Sequence, residues 1–212
     1  MHQVGDLLVP NIQVGDAAVQ QVWLGDTQAW QRGPVLAPAP SGTLFIPAFA
    51  AFADLVAVGA GGGGREGDGS FSMAGNGGKA GKWASTTIDV RGIASLSVTI
   101  GTGGPAGAKG AGNVVTPSRG GATTVSWTGG SLTGAGGDGG TGTNGNAGES
   151  PGNYSYGGFD FTGGGTAPSG SGRAAGRAPG GGGGGGAGGI FSGQTAGMPG
   201  ADGAVWIIWR SY

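Results

Sequence analysis

The chain has 212 residues, of which 57 are glycine and 11 proline, and its formal net charge is −1. Glycine and proline together make about a third of it, against roughly 7% and 5% in ordinary domains, so a conventional helix-and-sheet core is excluded; so is collagen, because runs such as Gly59 to Gly64 and Gly180 to Gly186 keep no triplet. Ten Lys and Arg against eleven acids give no electrostatic footprint for nucleic acid or an anionic membrane, and the lack of cysteine removes disulfides, thiolate nucleophiles and cysteine-held metals.

Disorder pairs low hydrophobicity with high charge, whereas here charged residues are 10% and hydrophobic residues 37%, with six tryptophans. An ordered fold that uses glycine to bring backbones together is the class that remains.

In chain order, Val4-Gly5-Asp6, Val14-Gly15-Asp16 and Leu24-Gly25-Asp26 repeat with a period of ten. Each is a turn signal, because glycine accepts positive φ and aspartate hydrogen-bonds the backbone just ahead of it. The stretches between them, Leu7 to Val9, Ala17 to Trp23 and Thr27 to Trp30, are predicted as small strands of a meander. Residues 1–32 are therefore expected to form a β knob, too small to bury a core alone and so to dock on another chain. The N-terminus lacks a basic region followed by an apolar core, and no run of about 18 apolar residues occurs, so no signal peptide and no membrane span are expected. Residues 33–42, with closely spaced Pro34, Pro38 and Pro40, are predicted as a linker.

Residues 43–212 form the predicted second region. Its strands are Leu44 to Ile46, Asp54 to Val58, Trp83 to Val90, Ser95 to Ile100, Thr123 to Trp127 and Ala204 to Trp209. In Ser95 to Ile100 the apolar Leu96, Val98 and Ile100 alternate with Ser97 and Thr99, as on a half-buried strand. Glycine tracts lie between these strands, beginning near Gly59, Gly75, Gly101, Gly129, Gly163 and Gly180. A polyproline-II thread has three residues per turn, rises about 3.1 Å per residue and satisfies none of its own backbone groups, which when buried must find partners. Lacking Cβ atoms, neighbouring glycine threads approach closely enough to exchange N–H···O=C bonds. The expected fold is mainly β: a small N-terminal β knob, then a β-sandwich-like framework carrying a glycine-rich polyglycine II helix bundle.

Chemical motifs are sparse. Gly59, Gly61 and Gly64 match G-x-G-x-x-G after a strand, but Arg65-Glu66-Gly67-Asp68-Gly69-Ser70 cannot propagate the helix that a dinucleotide site requires. His2 is the only histidine, and the acids are dispersed at turn spacings. Asp138, in Gly136-Gly137-Asp138-Gly139-Gly140, is similar to one unit of a calcium β-roll, which needs stacked copies. No catalytic residue, metal site or cofactor is expected, and the chain is not expected to be an enzyme.

The most distinctive cluster is Asn153-Tyr154-Ser155-Tyr156-Gly157-Gly158-Phe159-Asp160-Phe161. Two roles fit it. As a candidate receptor-contact loop, its rings would stack on sugars while Asn153 and Asp160 hydrogen-bond hydroxyls. As a structural element, Tyr154, Tyr156, Phe159 and Phe161 would cap the glycine bundle or pack across an oligomer axis.

The order Leu55-Val56-Ala57-Val58-Gly59-Ala60-Gly61-Gly62-Gly63-Gly64, Gly77-Gly78-Lys79-Ala80-Gly81-Lys82-Trp83, Val98-Thr99-Ile100-Gly101-Thr102-Gly103-Gly104 and Asp202-Gly203-Ala204-Val205-Trp206-Ile207-Ile208-Trp209 resembles the glycine-rich domain of bacteriophage tail proteins over residues 43–209. Val22 to Trp30 is similar to segments that begin many minor tail proteins of actinobacterial phages. The resemblance implies a virion component at the tail tip or fibre, a homotrimer assembled in the host cytoplasm, with glycine bundles like those of polyglycine II tail-fibre adhesins. Implied partners are other phage tail proteins and a host cell-envelope glycan or surface receptor. Composition alone leaves a different class open, an antifreeze or other non-phage structural or binding module.

Overall fold

In the computed structural model, the structure describes the backbone of residues 13–14, 17–18, 21–24 and 27–31, and the full residues 38–69, 72–109, 117–190 and 193–211. The chain forms two compact units, Met1–Ala37 and Pro38–Tyr212. The boundary falls inside the Pro-rich stretch 33–42, and the N–H of Ala39 already donates to Val205 O at 2.7 Å.

Among its described residues, the first unit contains two antiparallel pairs. Strand β1 (Gln13–Val14) pairs with β2 (Ala17–Ala18), and β3 (Gln21–Leu24) pairs with β4 (Thr27–Gln31) with a register shift between Val22 and Trp23. Each pair flanks a Gly-Asp step of the ten-residue repeat in sequence. The stretch 17–23, expected as one strand, holds β2 and the first three residues of β3. The strand expected at Leu7 to Val9 lies outside the described residues.

The second unit is mainly β, with no helix among the described residues. Its strands are β5 (Gly42–Phe45), β6 (Phe52–Val58), β7 (Trp83–Asp89), β8 (Ser95–Thr99), β9 (Thr123–Trp127), β10 (Gly130–Gly134), β11 (Tyr154–Tyr156), β12 (Phe159–Phe161) and β13 (Ala204–Arg210). They make a four-stranded sheet β10-β9-β8-β5, a three-stranded sheet β13-β6-β7 and a hairpin β11-β12, all antiparallel.

The central strand β6 is buried on both faces, and its sequence explains why. Ala53, Leu55 and Ala57 point to one side, where they join Val205, Leu96, Val98, Val125 and Leu132 in one buried cluster drawn from both sheets. Val56 and Val58 point to the other, where they join Ala204, Trp206, Ile208 and Phe161. Burying a side chain of the size of Leu or Val contributes about 1.5 to 3 kcal/mol, so these two clusters supply the apolar drive that the glycine tracts lack.

The glycine tracts extend from this framework and bond to one another in a regular order. Residues 59–68 form the central thread. Gly59, Gly62 and Arg65 donate to Lys82, Lys79 and Asn76; Ala60 and Gly63 donate to Gly121 and Ser118; Gly61, Gly64 and Gly67 donate to Ala201, Met198 and Thr195. Each of these three partners runs antiparallel to the centre, and each is met by every third residue. The carbonyls behave likewise toward three parallel neighbours: Gly104 and Gly107 donate to Gly61 and Gly64, Gly137 and Gly140 to Ala60 and Gly63, and Gly183 and Gly186 to Gly62 and Arg65. One thread thus has six neighbours.

Those six close a ring around it. Lys79 donates to Asp138, Gly120 to Gly137, Gly121 to Thr102, Gly197 to Gly107, Ala201 to Gly181 and Gly78 to Gly183. Neighbours around the ring therefore alternate in direction, and every amide from Gly59 to Arg65 meets a carbonyl, as buried main-chain groups must. At particular glycines the spacing leaves no room for a side chain. A Cβ placed on Gly62 would sit 2.0 Å from the Asp138 carbonyl oxygen, and one on Gly63 would sit 2.0 Å from that of Pro105.

One tract differs from expectation. Gly129 does not start a thread; it has a φ of 100° in the turn between β9 and β10, and the thread begins after β10 at Ala135. The tract at Gly163 is peripheral, tied by Gly164 N–H to Pro179 O and by mutual bonds of Ala167 and Gly148.

Candidate functional site

The sheet face opposite the larger core is built in rungs. Reading across β13, β6 and β7, the pairing sets Ala204, Val58 and Trp83 side by side, then Trp206, Val56 and Ser85, then Ile208, Asp54 and Thr87. Apolar character falls from the first rung to the last, and the hairpin β11-β12 lies over all three.

The hairpin closes on a pair of glycines. Tyr156 pairs with Phe159 across the two-residue loop Gly157-Gly158, whose φ values are 60° and 82°, the left-handed geometry that glycine adopts without strain. Alternation then sends Tyr154, Tyr156, Phe159 and Phe161 toward the sheet and leaves Asn153, Ser155 and Asp160 exposed.

The inward residues match the rungs. Phe161 is 2% exposed and packs against Trp206 at 5.3 Å and Trp83 at 6.5 Å between ring centres. Tyr154 stacks on Trp83 at 5.3 Å, and Trp83 stacks on Trp206 at 5.5 Å. Offset and tilted aromatic pairs of this kind add about 0.5 to 1.5 kcal/mol each beyond the area they bury. The polar ends are also satisfied. Trp83 Nε1 donates to the carbonyls of Pro151 and Gly152, the Tyr154 hydroxyl bonds Ser85 Oγ at 2.8 Å, and the Tyr156 hydroxyl bonds Thr87 Oγ1 at 3.0 Å.

Beneath the hairpin tip lies a charge that sequence reasoning missed. Asp54 is 2% exposed; it accepts from Thr87 Oγ1 at 2.5 Å and from the Arg210 guanidinium at 2.9 Å. A Cβ at Gly157 would stand 2.9 Å from Asp54 Oδ2, so the loop closes directly over the carboxylate. The only signal in sequence was an acid opening an otherwise apolar run, Asp54-Leu55-Val56-Ala57-Val58. Removing one partner of a buried charge costs more than the pair itself contributes. Arg210→Ala is therefore expected to destabilise the second unit by about 1 to 3 kcal/mol, toward the lower end because the guanidinium is half-exposed. Urea denaturation of the variant against wild type measures it.

The six residues of the candidate receptor-contact loop thus divide by side. Tyr154, Tyr156, Phe159 and Phe161 turn inward, and Asn153 and Asp160 face out, with Asp160 accepting from Ser155 Oγ at 2.5 Å.

Elsewhere, a shallow polar depression of about 370 Å³ is lined by Asn76, Thr141, Asn146, Lys79 and Glu149, the last two paired with each other. Asn76 pins the adjoining loop, accepting from the N–H groups of Asn144 and Asn146 and donating to Thr141 O. Asp138 pairs with Arg119 at 3.4 Å. Gly59, Gly61 and Gly64 lie inside the central thread, where neighbouring carbonyls fill the space a dinucleotide would need. Among the described residues, no group of three His, Cys, Asp or Glu could hold a metal ion, and no helix is long and apolar enough to cross a membrane. A family model described as a glycine-rich domain matches residues 38–210. No curated protein matches the chain.

Proposed function

We propose, from the premise that the chain belongs to the glycine-rich domain family, that it is a virion structural component: a minor tail protein at the tail tip or fibre of a bacteriophage, contributing to attachment at the host cell surface. The observation that carries this reading is the central thread 59–68 with its six bonded neighbours. Contacts that recur at every third residue match the threefold screw of polyproline II, so the bundle reads as polyglycine II, and the two sheets that share one core read as its sandwich-like base.

Such a body suits a projecting module. Its rigidity comes from main-chain bonds rather than from a large apolar core, so loops at its surface accept sequence change without loss of the interior. The first unit, residues 1–37, is the docking and oligomerisation element in this reading, and a homotrimer is the expected assembly, placed among other tail proteins. The outward residues of the hairpin, Asn153 and Asp160, are the ones positioned to hydrogen-bond a host envelope glycan or surface receptor.

Electron microscopy of particles carrying gold-labelled protein is expected to place label at the tail tip. Light scattering of the purified chain is expected to return three times the monomer mass. Label absent from the tail overturns the assignment to the virion, and a stable monomer overturns the trimer.

A further inference from the structure

The outer face of the four-stranded sheet has a chemistry that none of the packing above uses. On β5, β8, β9 and β10 the inward positions carry Leu44, Leu96, Val98, Val125 and Leu132, which join the core or pack against it. The outward positions are almost all hydroxyls, and the strand register aligns them. Thr43, Ser97, Ser126 and Ser131 are cross-strand neighbours in one row. Thr99, Thr124 and Thr133 form the next.

Every one of these residues is exposed or half-exposed. Neighbouring strands lie about 4.8 Å apart, so each row presents donors and acceptors at a regular interval. The four strands contain no charged residue. At the edge of the array Phe45, paired with Ser95, is 81% exposed.

We propose that this face binds a neutral polysaccharide. The four strands themselves offer no charge to an anion or a cation, which favours a neutral partner. Hydroxyls donate and accept equally, and so does a polyol; the exposed ring of Phe45 supplies the flat apolar surface on which the C–H face of a sugar stacks. A second copy of the chain is the poorer fit, because the cores of protein interfaces are depleted in serine. Nucleic acid is poorer still, since none of the four strands carries a cation to meet its phosphates. The face is separate from the β11-β12 hairpin, and its binding does not depend on where the chain is assembled.

The test passes the full chain over immobilised dextran, mannan and arabinogalactan, with alginate as the anionic comparison. Retention is expected on at least one neutral polysaccharide and not on alginate. It should persist in about 1 M NaCl, where the screening length falls to roughly 3 Å. Phe45→Ala and Ser126→Lys should each weaken it about tenfold or more, and Gly172→Ala, at an exposed position outside both the sheet and the hairpin, should leave it unchanged. Thermal midpoints equal to wild type show that the variants fold; if Ser126→Lys does not, Thr133→Lys on the neighbouring row replaces it. The proposal is overturned by no retention on any neutral polysaccharide, by retention that salt abolishes, or by equal retention of both variants. A change in oligomeric state with unchanged retention also overturns it, and makes the face a contact between copies.

Discussion

Replacing Gly62 by alanine is expected to destabilise the second unit by about 3 kcal/mol or more. The added carbon would lie 2.0 Å from Asp138 O and 2.4 Å from its carbonyl carbon, both of them main-chain atoms with no rotamer to escape into. Overpacking a well-filled interior costs about 1 to 3 kcal/mol. Here the cost does not stop at strain, because moving the Asp138 thread outward stretches bonds on both of its sides. Lys79 donates to Asp138 O, and Gly137 and Gly140 donate to the central thread; each bond lost is worth about 1 kcal/mol.

Gly172→Ala is the matching control. A Cβ there meets nothing within 4 Å, and the residue is exposed. The change should be neutral or stabilise by about 0.4 to 1 kcal/mol, through the narrower unfolded ensemble. Urea midpoints at constant m-value compare the two. If Gly62→Ala matched Gly172→Ala, close approach of backbones would not be what holds the bundle. The effect belongs to particular positions rather than to tracts as such, since Ala60, Ala80 and Ala167 are themselves buried in or beside the threads.

That positional dependence marks how far the sequence could be read. Strands β6 to β9 and β13 were legible because each combines an apolar run or an alternation with β-prone residues, and their observed ends differ from the expected ones by two residues or fewer. Strand β10 was not, because its sequence Gly130-Ser131-Leu132-Thr133-Gly134 is bounded by glycines and holds one apolar residue. Nothing local distinguishes it from a tract; only its pairing with β9 does. Strands β11 and β12 are three residues each, below what alternation can reveal.

The threads pose a different difficulty. That glycine tracts would lie against one another followed from the need to satisfy their amides, but which tract is central did not. The centre is fixed by tertiary register, in which 59–68 continues β6, a strand buried on both faces. The same strand explains the missed carboxylate. Asp54 looked like a strand boundary, and it is an interior residue whose partner lies 156 positions away at Arg210.

The second large effect is expected at Phe161. Phe161→Ala removes a ring that is 2% exposed and wedged against two tryptophans, a class of change that costs about 3 to 5 kcal/mol. The loss falls on an element with little stability of its own, since a two-stranded hairpin is marginal in water without a packed face. With Phe161 gone, the hairpin is held by the Tyr154 stack and by the hydroxyl bonds to Ser85 and Thr87. It should therefore lift from the sheet before the rest of the unit unfolds. Emission from Trp83 and Trp206 should move to the red, and protease should cut at Gly157-Gly158, while amides of the central thread keep their protection because no thread bond passes through the hairpin. Asp160→Ala, which removes one exposed hydrogen bond to Ser155, should do neither. A Phe161→Ala protein with unshifted emission and an uncut loop would mean that the aromatic layer does not hold the hairpin. The two variants then separate the roles that the sequence left open for residues 153–161. If host adsorption falls with Asp160→Ala while emission stays put, the outward side makes contact. If it falls only with Phe161→Ala, the hairpin serves adsorption through its packing alone.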